Sequence, residues 1–156
     1  MLDVHPACAD AGNKQKMIKE NKMELEKAKE FCERWLPAWT GNRPELLISF
    51  YSDDAFYSDP YIPQGLKGKE QLLAYLKKLI SIYPNWKYEH VEIFPTENGF
   101  TLKWQVSLPM NNDTVVDYGV DIVEISNGKI TRNEVYFDTA RLMKAIKEKQ
   151  SNIKKD

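Results

Sequence analysis

Residues 100–108, FTLKWQVSL, decide the class of fold. Large apolar side chains alternate there with polar ones, which is the period of a strand that buries one face. Asn98-Gly99 precedes this strand and predicts a hairpin turn, with an earlier strand over 86–94. The middle of the chain is therefore expected to form an antiparallel pair.

Two more strands and a helix are expected toward the C-terminus. Residues 115–125 read as a third long strand, and Ser126-Asn127-Gly128 turns the chain into a fourth strand over 129–138. A last helix is predicted over 139–149, with Asp138 as its N-terminal cap.

Helical periodicity dominates the first half of the chain. The first helix has an apolar face made by Ala28, Cys32, Trp35, Leu36 and Trp39. Pro37 is expected to kink or shorten its last turn, and Pro44 to open a short second helix over 44–51. Residues 52–65 read as a short strand that runs into a Pro/Gly loop. A third helix begins near Lys69, with a buried stripe of Leu72, Leu76, Leu79, Ile80 and Tyr83. Helices that precede a hairpin-linked sheet predict an α+β fold with the helices packed on one face.

Length and composition fit one domain, because 156 residues with 42% hydrophobic side chains can bury a real core. We expect a polar arm over 1–22, the domain over 23–150 and a polar tail over 151–156.

The net charge of −1 gives no basic field, so neither a nucleic acid nor a membrane is expected as a partner. No signal core is present, and a cytoplasmic location is expected. The two cysteines and two histidines lack metal-site spacing, so neither a metal nor another cofactor is expected.

The strand over 115–125 does not alternate simply. One face carries Asp117, Gly119 and Asp121, and the other carries Val116, Tyr118, Val120 and Ile122. We expect this apolar outer face to form a homodimer contact, together with Tyr136 and Ile130 of the next strand. The alternative is that the C-terminal helix covers it within one chain.

The segment FYSDDAFYSDP over 50–60, followed by GLKGKE over 65–70, carries a resemblance to known proteins. It resembles the "YADDA…DP…G…G" segment of ketosteroid isomerases and of the wider SnoaL-like, nuclear transport factor 2-like superfamily. GVDIVEISNGKI over 119–130 is a second matching segment, and VYFD over 135–138 closes the last strand. The resemblance covers about residues 24–143. It implies a cone-shaped α+β barrel, in which N-terminal helices pack on a curved, mostly antiparallel sheet that encloses a pocket.

Residue by residue, the resemblance assigns roles to two aspartates. Asp59 matches the general base of the isomerases, and Asp121 matches their second pocket aspartate, which stays protonated and donates a hydrogen bond to the enolate oxygen. Burial among rings makes a carboxylate a stronger base, and aromatic residues surround Asp59 in the sequence. Both aspartates also have a structural interpretation. Asp59 would form an Asx turn before Pro60, and Asp121 would pair with a neighbouring tyrosine or indole N–H.

Eleven further residues are expected to line the pocket and bind a ligand: Trp35, Tyr51, Phe56, Tyr57, Tyr61, Leu76, Tyr88, Trp104, Gly119, Val135 and Phe137. Trp39 is interpreted as plain core, and His90 as a surface residue of its strand.

Three departures from the superfamily patterns restrict which of the superfamily's activities the resemblance implies for this sequence. Trp35 falls where the isomerases have a hydrogen-bonding tyrosine, which Tyr51, Tyr57 or Tyr88 would have to replace. The epoxide hydrolases' last-strand aspartate falls on Val135, and their Arg-x-Asp pair is absent from 102–108, so that activity is not expected. A polyketide cyclase-like Asp/His pair would have to use His90.

Two functions therefore stay open. The first is a cofactor-independent isomerase or cyclase that acts by acid–base chemistry on a small hydrophobic carbonyl compound. The second is a non-catalytic module of the same fold that binds a hydrophobic ligand or assembles as a dimer.

Overall fold

The computed structural model describes residues 23–110 and 113–153, so the predicted arm over 1–22 and the last three residues of the predicted tail lie outside the described residues. The helices are α1 Leu25–Trp35, α2 Pro44–Ile48, α3 Lys69–Ile82 and α4 Thr139–Ile153, with a 3₁₀ helix over Leu36–Trp39. The strands are β1 Tyr51–Asp59, β2 Ile62–Lys67, β3 Lys87–Pro95, β4 Gly99–Met110, β5 Asp113–Ser126 and β6 Lys129–Phe137. The α+β prediction is confirmed.

The six strands form one curved sheet in the order β2-β1-β6-β5-β4-β3. Every neighbouring pair is antiparallel except β1 and β6, which run parallel. Because β2 and β3 are the two edges, the sheet is open rather than closed. The expectation of a curved, mostly antiparallel sheet is confirmed.

Strand β2 was not predicted, since its Pro63 and Gly65 read as loop signals. It pairs with β1 after a sharp reversal in which Asp59 faces Ile62. A proline removes one ladder donor, which an edge strand tolerates because one of its sides is unpaired.

The core lies between the helices and the concave face of the sheet. Helix α1 buries its apolar face, and β4 buries the alternate side chains that its period predicted: Phe100, Leu102, Trp104 and Val106. Pro37 lies in the 3₁₀ helix, so α1 ends at Trp35 and the chain tightens into a different helical geometry. At the other end, Asp138 accepts a hydrogen bond from the backbone N–H of Arg141, which confirms the predicted cap of α4.

The convex face of the sheet carries exposed apolar side chains. The exposed fractions are 43% for Val116, 44% for Tyr118, 37% for Val120 and 54% for Tyr136. Helix α4 does not cover this face, because Leu142 is buried on the concave side, where it lines the cavity described below. The alternative in which α4 covers the convex face is therefore wrong.

Ile130 does not belong to this convex surface, as was expected, since it is fully buried. Ile130 lies at the start of β6, where the pairing with β5 shifts register between Glu124 and Ile125. Its backbone N–H donates to the carbonyl of Phe50, and it pairs with Tyr51, so the side chain is turned into the core.

Candidate functional site

The concave side of the sheet encloses a cavity of about 70 Å³. Most of its walls are aromatic or aliphatic, and two aspartates complete it. The lining residues are Leu36, Trp39, Tyr57, Asp59, Tyr61, Leu79, Ile80, Tyr83, Trp86, Tyr88, Trp104, Asp121, Val135, Phe137 and Leu142. Tyr61 is half exposed and its ring contacts Phe137, so this pair forms part of the rim. An aromatic cavity with few convergent polar groups is the usual form of a small-molecule site.

Asp59 is buried at the end of β1 and accepts four hydrogen bonds. Its Oδ1 accepts from the backbone N–H groups of Tyr61 at 2.8 Å and Ile62 at 3.1 Å, which is the Asx turn that the structural interpretation predicted. Its Oδ2 accepts from the hydroxyls of Tyr57 at 3.0 Å and Tyr75 at 2.6 Å. A carboxylate offers about four lone-pair positions, so these four donors leave Asp59 with its accepting capacity used.

Tyr75 is a residue that sequence reasoning missed. It lies on α3 between Leu72 and Leu76, on the side of the helix that faces β1, and it contacts the ring of Tyr57. A usable signal was present, because positions 72, 75, 76 and 79 share one helix face, and a tyrosine within an apolar stripe needs a buried partner for its hydroxyl.

Asp121 has a different environment, in the middle of β5. Its Oδ1 accepts a hydrogen bond of 2.7 Å from the indole Nε1–H of Trp104. Burial raises the pKa of Asp121 to about 7, against the opposing effect of hydrogen bonds from Trp104 and Asn133; the charge of Asp59 raises it further. Asp121 is therefore the carboxyl of this cavity that changes its protonation near neutral pH.

Gly119 allows the bond between Trp104 and Asp121. A Cβ at this position would lie 2.1 Å from Cζ2 and 2.4 Å from Cη2 of Trp104, so the indole lies directly on the glycine. In the sheet register Trp104 is opposite Gly119, and Asp121 is the next residue on the same face. The missing side chain lets the indole cross the strand and reach Oδ1.

Eight residues with a predicted site role line the cavity: Tyr57, Asp59, Tyr61, Tyr88, Trp104, Asp121, Val135 and Phe137. Five do not: Trp35, Tyr51, Phe56, Leu76 and Gly119. The reasons differ among these five. Trp35, Tyr51 and Leu76 are fully buried in the core behind the wall, and Tyr51 accepts a 3.0 Å hydrogen bond from Nδ2 of Asn133. Phe56 points to the opposite face of β1, where its ring lies on Gly65, and Gly119 is covered by Trp104.

The interpretation of Trp39 as core is confirmed, since it belongs to the buried core cluster, but Trp39 also lines the cavity, which was not expected. The 3₁₀ helix changes the angle between successive side chains, which brings Trp39 against Tyr57 and Tyr88. Trp86 and Tyr83 also line the cavity, with stacked rings 4.2 Å apart.

Other kinds of site receive no support in the part of the chain that the structure describes. His90 is exposed and borders an outer groove with Cys32 and Glu89, and neither Asp59 nor Asp121 lines that groove. Within 23–110 and 113–153, no three His, Cys, Asp or Glu side chains group as metal ligands would. None of the helices in these ranges is both long and apolar enough to cross a bilayer.

The SnoaL-like domain family matches residues 32–133, which is more than half of the chain. The chain belongs to the SnoaL-like family. The match includes both aspartates of the cavity, whereas the lining residues Val135, Phe137 and Leu142 follow the matched range. A search of the curated proteins found no match for this SnoaL-like protein.

Solved structures similar to this SnoaL-like protein share its fold at low identity. One is a hypothetical protein with a ketosteroid isomerase-like fold from Catenulispora acidiphila, in complex with trimethylamine. It is 17% identical, with 74% of this chain and 91% of that chain covered and a TM-score of 0.65. A putative SnoaL-like polyketide cyclase from Jannaschia is 14% identical, with 78% and 92% covered and a TM-score of 0.64. An epoxide hydrolase from M. tuberculosis is 15% identical, with 82% and 95% covered and a TM-score of 0.64. At these identities the likeness shows the fold and not the activity.

Proposed function

We propose that the cavity binds a small, mostly apolar carbonyl compound and moves a proton on it without a cofactor, as an isomerase or cyclase does. The observation that carries the proposal is a pair of buried carboxylates in one aromatic cavity, one of which, Asp121, has its pKa raised to about 7. A catalytic base is most effective when its pKa lies near the working pH. Perturbed carboxyls inside a cleft are also the usual mark of an acid–base site.

Asp121 is the better candidate for the base. The resemblance assigns that role to Asp59, whose lone pairs are occupied by four donors. Asp59 would need to lose a tyrosine hydroxyl before it could take a proton. We therefore assign Asp59 to the positioning of Tyr57 and Tyr75, and proton transfer to Asp121.

The reaction follows from this assignment. In its ionised form Asp121 takes the proton from the carbon next to the carbonyl, and the electron pair moves onto the carbonyl oxygen to give an enolate. Tyr57 lines the cavity, and its hydroxyl would give up its hydrogen bond to Oδ2 of Asp59 and donate to that oxygen instead. Asp121 then returns the proton to the γ carbon, which restores the carboxylate and moves the double bond into conjugation.

The volume of the cavity limits the size of the ligand. About 70 Å³ is roughly half of the 150 Å³ apolar cavity that is known to admit benzene. The ligand is therefore small, or it extends past the half-exposed Tyr61 at the rim. Trimethylamine, named with the Catenulispora structure, belongs to this size class.

The proposal is tested with 4-penten-2-one, a small β,γ-unsaturated ketone whose conjugated product absorbs much more strongly in the short-wavelength ultraviolet. We expect turnover that rises as the pH passes 7 and is lost in Asp121→Asn. Asp117→Asn is the matched control, because Asp117 lies on the same face of β5 and does not line the cavity. Activity that falls as the pH passes 7 would instead favour a neutral Asp121 that donates to the enolate, with Asp59 as base.

A non-catalytic binding module is the second candidate, and the four hydrogen bonds of Asp59 favour it, since they also serve a purely structural turn. In that case the cavity holds its ligand unchanged. Quenching of tryptophan fluorescence by 4-penten-2-one without product formation would support this reading, because Trp39, Trp86 and Trp104 all line the cavity.

We also propose that a second copy of the chain covers the convex face. The support is the exposed patch of Val116, Tyr118, Val120 and Tyr136 on two adjacent strands. Arg132 lies beside this patch and bridges Glu124 and Glu134 at 2.8 Å each, which leaves a net charge of −1 on these three side chains. Sedimentation of the full chain at several concentrations tests for the dimer.

A further inference from the structure

The cavity contains two carboxyl groups and no positively charged side chain from the part of the chain that the structure describes. Asp59 and Asp121 both line it, and no lysine, arginine or histidine belongs to its lining among residues 23–110 and 113–153. Neither carboxyl forms an ion pair with a described side chain; their hydrogen bonds come from hydroxyl, indole, side-chain amide and backbone groups. Buried charges in proteins are normally paired, because removing a charge from water is costly.

Asp117 shows the contrast within the same strand. It lies on the same face of β5 as Asp121 and is equally buried, at 4% exposed. Its Oδ1 lies 3.5 Å from Nε of Arg141, which α4 brings across the end of the sheet. Among the described residues, a cation therefore pairs with the buried aspartate outside the cavity and none pairs with the two inside it.

The walls of the cavity consist of rings in a continuous chain of contacts. Successive centroid distances are 4.2 Å for Tyr83–Trp86, 6.5 Å for Trp86–Tyr88, 5.6 Å for Tyr88–Trp104 and 6.0 Å for Trp104–Phe137. On the other side of Tyr88, the series of ring contacts continues through Trp39 to Tyr57. An aromatic face attracts a cation, and cages of such rings are the common means of recognising ammonium groups.

We infer that this cavity binds a small organic cation, an alkylammonium or quaternary ammonium group of about four or five heavy atoms, whose charge is the missing partner of Asp121 and Asp59. The size limit comes from the cavity volume of about 70 Å³. The methyl groups of such a cation would contact the rings, while its charge lies near the two carboxylates. This ligand class goes beyond the proposed reaction and does not require any turnover.

The binding would depend on pH through Asp121. Its ionised fraction rises from about a tenth at pH 6 to about nine-tenths at pH 8 for a pKa of about 7, so the affinity for a permanent cation rises about tenfold. The other groups that face Asp121 are Trp104 and Asn133 from the neighbouring strands, Asp59, and the more distant Tyr51, Tyr57, Tyr88 and Cys32. Burial raises the pKa of the Cys32 thiol to about 12 and moves the tyrosine pKa values further upward, so these groups do not titrate between pH 6 and 8.

The test compares tetramethylammonium chloride with tert-butanol, which has the same number of heavy atoms and no charge. Binding is followed by tryptophan fluorescence and isothermal titration calorimetry of the full chain, with sodium chloride added to equal ionic strength. We expect tetramethylammonium to bind at least tenfold more tightly than tert-butanol at pH 8, and about tenfold more tightly at pH 8 than at pH 6. Asp121→Asn is expected to remove the pH dependence. Asp117→Asn and His90→Gln are expected to retain it, and they exclude the other buried aspartate of β5 and the described imidazole as its source.

Equal binding of the two compounds, or no saturable signal from tetramethylammonium, would overturn the inference. So would a pH dependence that survives in Asp121→Asn. These results are independent of the ketone assay. Turnover of 4-penten-2-one without cation binding would support the proposed reaction and exclude the cation-binding inference. Cation binding without turnover would support the cation-binding inference and exclude the proposed reaction.

Discussion

Replacing Asp121 by asparagine is expected to stabilise the fold at neutral and alkaline pH. The carboxyl is buried in the folded chain, which raises its pKa from 3.8 to about 7. The unfolded chain therefore releases this proton near pH 4, whereas the folded chain keeps it until about pH 7. The folded state binds more protons across this interval, so linkage requires the free energy of unfolding to fall as the pH rises through it.

The magnitude follows from the width of the interval. From 3.8 to about 7, at 1.36 kcal/mol for each pH unit, the destabilisation reaches about 4 kcal/mol above pH 7. Asparagine has nearly the same shape, carries no charge, and its amide oxygen can still accept the 2.7 Å hydrogen bond from Trp104. We therefore expect Asp121→Asn to match the wild type near pH 4 and to exceed its unfolding free energy by up to about 4 kcal/mol at pH 8.

Urea unfolding followed by far-UV circular dichroism at pH 4.5 and pH 8 measures this difference without relying on tryptophan fluorescence. Asp117→Asn is the control, because it removes an equally buried carboxylate that has Arg141 as its partner. That variant is expected to show no gain at pH 8. A stability difference for Asp121→Asn that is the same at both pH values, or a loss at pH 8, would refute the reasoning that burial dominates the ionisation of this carboxyl.

Three further substitutions test the packing and the surface. Gly119→Ala is expected to cost about 1–3 kcal/mol, because its Cβ would meet the indole of Trp104 at 2.1 Å, and urea unfolding should show most of this cost disappear in the Trp104→Leu background. An unchanged cost there would mean that the indole is not the obstacle. Tyr75→Phe removes the 2.6 Å hydrogen bond to Asp59, with an expected loss of about 1.5–3 kcal/mol of unfolding free energy in the same assay; a loss near zero would mean that this bond contributes little. Tyr118→Lys places a charge on the convex face and is expected to dissociate the proposed dimer in sedimentation experiments without lowering the urea midpoint of the monomer, whereas an unaltered dimer would exclude this face.

The strands that follow the helices could be predicted because their signals are local. Each signal comes from residues that are close together in the sequence. The signals are the alternation of β4, the Asn98-Gly99 turn and the turn at Asn127, which has a φ of 52°. Strand β2 could not be predicted in this way. Its proline and glycine are tolerated only because the strand lies at the edge of the sheet, and that edge position is set by a tertiary pairing with β1.

The site was only partly accessible from the sequence. The resemblance selected Asp59 and Asp121, and both line one cavity, although they are 62 positions apart. Trp39 was identified as core, but its contact with the cavity was missed because helical periodicity was extended through Pro37, where the chain becomes a 3₁₀ helix and the side-chain directions change. Gly119 was expected to contact the ligand, and its role is instead to let Trp104 lie across the strand, a relation that only the register of β4 and β5 reveals.

The two aspartates of the cavity differ because they occupy different positions in their strands. Asp59 ends β1, where the chain reverses and the N–H groups of Tyr61 and Ile62 turn back toward the carboxylate. Asp121 lies in the middle of β5, between β4 and β6, where backbone N–H groups are committed to the ladders. A carboxyl in that position depends on donors from side chains, and the hydrogen bonds of Trp104 and Asn133 do not outweigh its burial. A turn thus holds one aspartate as a fixed anchor for two tyrosines, and the middle of a sheet makes the other the group that gains and loses a proton near neutral pH.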